Sequence, residues 1–268
     1  MPGLEMRDQI DHDTLHLPRI ICLHGGGSNA AIFHTQCRVL RSHLKSTFRL
    51  CFVDAPFSSA AGPGILPVYE GFGPYYCWSK WPGAGEHDFG PRMLNQTEYT
   101  LRCAMKEDDR KGATGEWVGV LGFSQGARTG ASILLKQQIE ADLSPGGQSA
   151  NQPFKFRFGV LMNGRGPLLS FEMEENNMDV PATGESGGGS AEREFVIDGH
   201  RLRIPTVHVH GLQDPGLELH RKLRDDHFED GATRLVEWDG GHRIPIKKPD
   251  VEAVVSEILE IAKQTGAI

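Results

Sequence analysis

Several features are missing from this chain, and each absence removes a class of function. No apolar run approaches the roughly 20 residues that a membrane span needs. There is no cationic excess: the formal net charge is -7 over 268 residues. Phosphate backbones call for a basic surface, so nucleic acid is not expected as a partner. Residues 1–18 carry Glu5, Asp8, Asp11 and Asp13 and lack the cationic and apolar regions of a secretory leader. Cysteine is scarce, with 5 residues at irregular spacing and no Cys-x-x-Cys pair. That count suits reduced thiols in a cytoplasmic protein and gives no zinc ligand set. No motif implies a metal or an organic cofactor, and no internal repeat or linker divides the chain.

What is present is an alternation of strand and helix signals. Buried-strand patterns fall at residues 19–24, 48–53, 116–121, 156–162, 206–210 and 233–238. Helical periodicity falls at 30–44, 96–109 and 125–139, and in a C-terminal stripe of Val251, Val254, Val255, Ile258 and Ile261. Such alternation predicts one α/β domain over residues 1–268, with a mostly parallel sheet covered by helices on both faces. Two long excursions interrupt it. Residues 57–95 are rich in Gly, Pro and aromatic side chains. Residues 165–203 are acidic, with Gly187, Gly188 and Gly189 at their centre. Both are expected where strand ends point, as insertions that can form a lid.

The most informative stretch is Gly122-Phe123-Ser124-Gln125-Gly126, at the junction of a predicted strand and a predicted helix. Gly-x-Ser-x-Gly in that setting presents a serine hydroxyl as a nucleophile. The glycines are needed because the turn leaves no room for a Cβ on either flank. A second match, Gly184-Glu185-Ser186-Gly187-Gly188, has neither strand before it nor helix after it, and reads as loop composition. A serine hydroxyl needs a base, and the base needs an orienting carboxylate. In this architecture the chain order is Ser, acid, His, each just past a strand. Ser124, Asp214 and His242 meet that order.

Each choice has a rival. Asp214 precedes Pro215 and Gly216, so it also suits a turn or the cap of a helix starting near Leu217; the two roles are compatible. Asp54 is the reserve acid, though it precedes the serine and suits anchoring of the following loop. His208 and His210 alternate on one strand and read as strand residues, with no third metal ligand in view. For the oxyanion, the expected donors are the amides of Gln125 and of Gly26, the latter within His24-Gly25-Gly26-Gly27. Tyr75, Tyr76, Trp78 and Trp81 are expected to line an acyl or aromatic pocket, against the alternative of packing the excursion onto the core.

His24-Gly25-Gly26-Gly27-Ser28-Asn29-Ala30, Asp54-Ala55-Pro56-Phe57 and Gly71-Phe72-Gly73-Pro74-Tyr75-Tyr76-x-Trp78 resemble the fungal serine-hydrolase family of the α/β-hydrolase fold. So do Gly122-Phe123-Ser124-Gln125-Gly126, His210-Gly211-Leu212-Gln213-Asp214 and Gly241-His242. The resemblance covers residues 19–263 and leaves the acidic excursion unmatched. It implies an esterase or thioesterase that frees a polyketide acyl chain from the acyl carrier protein of a polyketide synthase, with Ser124, Asp214 and His242 as its triad. Docking an acidic carrier protein needs a basic patch, for which Arg38, Arg41 and Lys45 are candidates against the alternative of a solvated helix face. Two other readings stand beside this one: a general carboxylesterase or lactonase for small esters, and a non-catalytic hydrolase-like binding protein.

Overall fold

Apolar side chains alternate along β1 (Arg19–Leu23), and that alternation organises the molecule. The computed structural model describes residues 12–79, 92–143, 154–169, 171–173, 193–195 and 199–268. Ile20 and Cys22 point into one buried cluster, Ile21 and Leu23 into another on the opposite face. Both faces of the sheet are therefore buried, as parallel sheets require.

Six strands pair in the order β10-β9-β6-β5-β1-β2. They are β1, β2 (Arg49–Val53), β5 (Trp117–Phe123), β6 (Phe158–Met162), β9 (Thr206–Gly211) and β10 (Thr233–Trp238). Every pairing between them is parallel. One face carries α1 (Ala30–Gln36), α2 (Arg38–Leu44) and α6 (Lys248–Gln264). The other carries α3 (Arg92–Arg110), α4 (Gln125–Leu143) and α5 (Leu217–His227). This is the predicted α/β architecture. The stripe expected on α6 is buried at Val251, Val254, Val255, Ile258 and Ile261. At about 1.5–3 kcal/mol per buried aliphatic side chain, it fixes the helix to the sheet.

The single helix expected over 30–44 is two helices. The backbone turns at Cys37 (φ -82°, ψ 8°), although the Cys37 N–H still donates to Phe33 O and its carbonyl accepts from Arg41. The turn lets Ile32 and Phe33 of α1 face the sheet while Leu40 and Leu44 of α2 meet α6. Each excursion contains a short antiparallel pair that lacked a sequence period. β3 (Phe57–Ser59) joins β4 (Tyr75–Cys77), and β7 (Phe171–Met173) joins β8 (Arg193–Phe195). The second Gly-x-Ser-x-Gly, the Gly187–Gly189 centre and Trp81 lie outside the described residues. Because the strands are parallel, the ends of β1, β5, β6, β9 and β10 open at one edge, where the candidate site is built.

Candidate active site

The turn from β5 into α4 is as tight as its glycines suggest. A Cβ on Gly122 would lie 2.3 Å from Gly126 O, and one on Gly126 would lie 2.2 Å from Leu23 O. Between them Ser124 takes φ 54°, a left-handed backbone that a serine rarely adopts. The Ser124 N–H donates to Met162 O at 2.8 Å, and its carbonyl accepts from Ala127 and Arg128. The hydroxyl therefore projects from a turn held on both sides.

Two further loops meet it. Asp214 follows β9 and His242 follows β10. A Cβ on Gly211 would lie 2.4 Å from Gly240 O, so the loops touch through backbone. Asn163, at the end of β6, sets their spacing. It is buried with φ 49°, accepts from the Gly211 N–H at 3.1 Å and donates to Gly241 O at 3.4 Å. The structure brings the three residues into one chain of contacts. His242 Nε2 lies 2.9 Å from Ser124 Oγ, and His242 Nδ1 lies 2.6 Å from Asp214 Oδ2. With a carboxylate on Nδ1, that nitrogen donates, which leaves Nε2 as acceptor for the serine O–H.

The electrostatics suit a resting base. Burial pushes the His242 pKa below its ordinary 6.5, and the Asp214 carboxylate only partly restores it. Burial raises the Asp214 pKa, but the Gly216 N–H, His220 and His242 outweigh it and hold the carboxyl below the usual range. The Asp214 side chain is fully buried, and its Oδ1 accepts from Gly216 at 2.8 Å. Asp214 is thus both the partner of His242 and a stabiliser of the turn leading into α5.

His220, on α5, was not singled out in the sequence. It is fully buried, its Nδ1 donates to Gly164 O at 2.8 Å, and its Nε2 sits 2.9 Å from Asp214 Oδ2. The Nε2 contact is close but does not meet hydrogen-bond geometry. The only sequence signal is its place one turn into the helix that Asp214 precedes. Asp214, His220 and His242 offer three ligand atoms within 4.8 Å of one another. A metal held there would replace the His242–Asp214 hydrogen bond, so it is incompatible with a serine–histidine–carboxylate relay.

Asp54 lies elsewhere: its carboxylate accepts from the Ala30 N–H at 2.7 Å, at the start of α1. His208 and His210 are buried on β9, with ring centroids 5.9 Å apart. His24 is buried with Nδ1 on Gly25 O, and its Nε2 accepts from the Ala55 N–H at 3.0 Å. Burial pushes its pKa down to about 4, in keeping with an imidazole that accepts at one nitrogen.

A cavity of about 750 Å³ opens over Ser124 and His242, with Gly25, Gly26 and Gln125 in its wall. The Gly27 N–H is committed to Tyr76 O at 2.8 Å. Among the described residues the N–H groups of Gly26 and Gln125 have no protein acceptor. The Gln125 side chain is a clamp: its Oε1 accepts from the Trp78 N–H and its Nε2 donates to Ser79 O, both at 2.7 Å.

The aromatic expectations need correction. Tyr75, Tyr76 and Trp78 are not in the cavity wall; the first excursion contributes Pro63, Gly64, Ile65, Tyr69 and Ser79 instead. Trp78 is fully buried, its indole N–H donating to His24 O at 2.7 Å. Tyr76 packs partly buried against the core, and the Tyr75 hydroxyl donates to Tyr69 O at 2.9 Å. An indole whose one donor is satisfied by a core carbonyl has no reason to face a pocket.

Known proteins resemble this chain along most of its length. The serine hydrolase (FSH1) family matches residues 14–254. An esterase of Monascus ruber, pigG, is 48% identical over 265 residues, covering 96% of each chain. The esterase claE of Penicillium crustosum is 47% identical over 263 residues, covering 96% of this chain and 97% of its own. Among solved structures, esterase PE8 (15% identity, TM-score 0.50, covering 92% of this chain and 93% of its own) shares the fold. So does SOBER1 of Arabidopsis thaliana (15% identity, TM-score 0.50, covering 91% and 98%). The protein is therefore a serine ester hydrolase with the α/β-hydrolase fold. Within that class it belongs to the serine hydrolase (FSH1) family.

Proposed function

We propose that Ser124 is the nucleophile of a two-step acyl hydrolase, with His242 its general base and Asp214 the residue that orients the base. His242 takes the hydroxyl proton as Ser124 Oγ attacks the ester or thioester carbonyl carbon. The amides of Gly26 and Gln125 hold the oxyanion. The proton passes to the departing alcohol or thiol, leaving an acyl-serine. Water then gives a proton to His242, attacks the acyl-serine and releases the acid, and the proton returns to Ser124. The observation that carries this reading is the continuous contact from Asp214 through His242 to Ser124, opening into a cavity beside two uncommitted N–H groups.

In this reading the acyl group is a polyketide chain and the leaving thiol belongs to an acyl carrier protein, as the resemblance over residues 19–263 implies. Two buried clusters on the faces of one sheet support treating the chain as one hydrolase domain. The five cysteines form no disulfide, which favours a reducing, cytosolic setting. Among the described residues no helix is long and apolar enough to cross a membrane. The relatives are named simply as esterases, and the second reading is a general carboxylesterase or lactonase for small esters. Acyl-loaded carrier protein and simple aryl esters, offered to wild type and Ser124→Ala, separate the two. A fluorophosphonate adduct mapped to Ser124 is expected in both; its absence would leave only a binding protein.

A further inference from the structure

The charged lining of the cavity is one-sided. Arg38 comes from the start of α2, Arg128 from the first turn of α4, Arg165 from the loop after β6 and Arg243 from the residue beside His242. The only carboxylate among the described lining residues is Asp214, already engaged by Gly216 and His242. This runs against the chain's average, whose net charge is -7.

Among the described residues, no carboxylate comes closer than 3.9 Å to any of the four guanidinium groups. Arg128 is half-buried, and its Nε donates to the Pro167 carbonyl at 2.6 Å. Arg165 stands 3.9 Å from Asp214 Oδ1, at the limit of an ion pair. Arg243 lies over the Trp238 ring at 5.7 Å, and Arg38 is exposed with no ion-pair partner among the described residues. Arg41, one turn further along α2, lines a different cavity beside Asp108, so Arg38 does not belong to a simple basic stripe. Guanidinium groups gathered in a concave wall suit anions that present two oxygens side by side, a carboxylate or a phosphate.

We propose that this wall binds a second anionic group carried by the substrate, a carboxylate or phosphate set apart from the scissile carbonyl. The proposal rests on the reading of Ser124 as the nucleophile. The anion has two sources. It lies on the acyl side, as a free carboxylate, or on the leaving group, as the phosphate of a phosphopantetheine arm.

Two matched pairs of substrates distinguish these sources. p-Nitrophenyl hemisuccinate against p-nitrophenyl butyrate tests the acyl side. S-butyryl phosphopantetheine against S-butyryl pantetheine tests the leaving group. In at least one pair the anionic member is expected to have a kcat/KM about tenfold higher, since each partly exposed charge contributes a factor of a few. That ratio should fall as salt rises from about 0.01 M to about 0.3 M. It should collapse toward one in the double variant Arg165→Gln, Arg243→Gln. Both side chains are exposed, so the fold is not at stake, and the Arg→Lys pair should keep part of the ratio. A preference in the first pair places the anion on the acyl group, and one in the second places it on the leaving group. No preference in either pair, with Ser124 still labelled and the neutral esters turned over, overturns this proposal alone. Loss of labelling and of all turnover overturns the hydrolase reading and this one with it.

Discussion

Lowering the pH from about 7.5 to about 5 should remove about 4 kcal/mol from the folding free energy, through two buried histidines other than His242. His24 and His210 are fully buried, and burial pushes each pKa down from 6.5 to about 4. Below pH 6.5 the unfolded chain takes up protons at these positions while the folded chain does not. The stability they confer is therefore present above pH 6.5 and is lost as pH falls toward 4. The slope is about 1.4 kcal/mol per pH unit for each histidine, or about 2 kcal/mol each at pH 5. His208, lowered further by burial, acts in the same direction. Asp108 and Asp214 are held below their ordinary 3.8, so their loss comes only at lower pH. Glu98, raised by burial, works in the opposite sense and trims the total. Urea unfolding followed by far-UV circular dichroism at the two pH values measures the difference. His210→Leu should reduce the slope by about 1.4 kcal/mol per pH unit, because it removes one titrating group. Unfolding free energies that agree within about 1 kcal/mol at the two pH values would refute the reasoning.

His220→Leu removes a buried partner of both Asp214 Oδ2 and Gly164 O, and should lower kcat/KM about tenfold with a stability loss of about 1–3 kcal/mol. With one fewer partner on the carboxylate, His242 becomes more basic. The acid limb of the pH–rate profile, below pH 6.5 in the wild type, then moves upward; an unmoved limb in a less active variant would reduce His220 to packing. Trp78→Phe should lower the melting temperature, through loss of the bond to His24 O worth about 1 kcal/mol, while leaving the ranking of acyl substrates unchanged. A changed ranking would return Trp78 to the pocket.

The legible parts of this protein are those governed by local rules. The central strands show in the sequence because burial on both faces makes them short apolar runs, and the α6 stripe shows because burial selects residue type at a fixed helical period. Ser124, Asp214 and His242 were readable as positions because each follows a strand, and parallel strands bring their ends to one edge. The bend at Cys37 was not readable, since the hydrogen bonding of a helix continues through it and only the packing of α1 and α2 against different neighbours reveals it. Trp78 was misplaced because composition does not tell a wall residue from a core residue; the carbonyl of His24 decides that, 54 positions away. His220 and Asn163 carry no motif. Their importance comes from what lies across the fold from them.

The Gln125 clamp links two things usually treated separately. Gln125, whose amide is an oxyanion donor in the proposed mechanism, is fastened by its side chain to Trp78 and Ser79. If that strip of the first excursion swings aside to admit a bulky acyl group, it must break both bonds or drag Gln125 with it. Widening the doorway by this route thus disturbs the machinery behind it, and variants that reshape this strip should change turnover as well as selectivity.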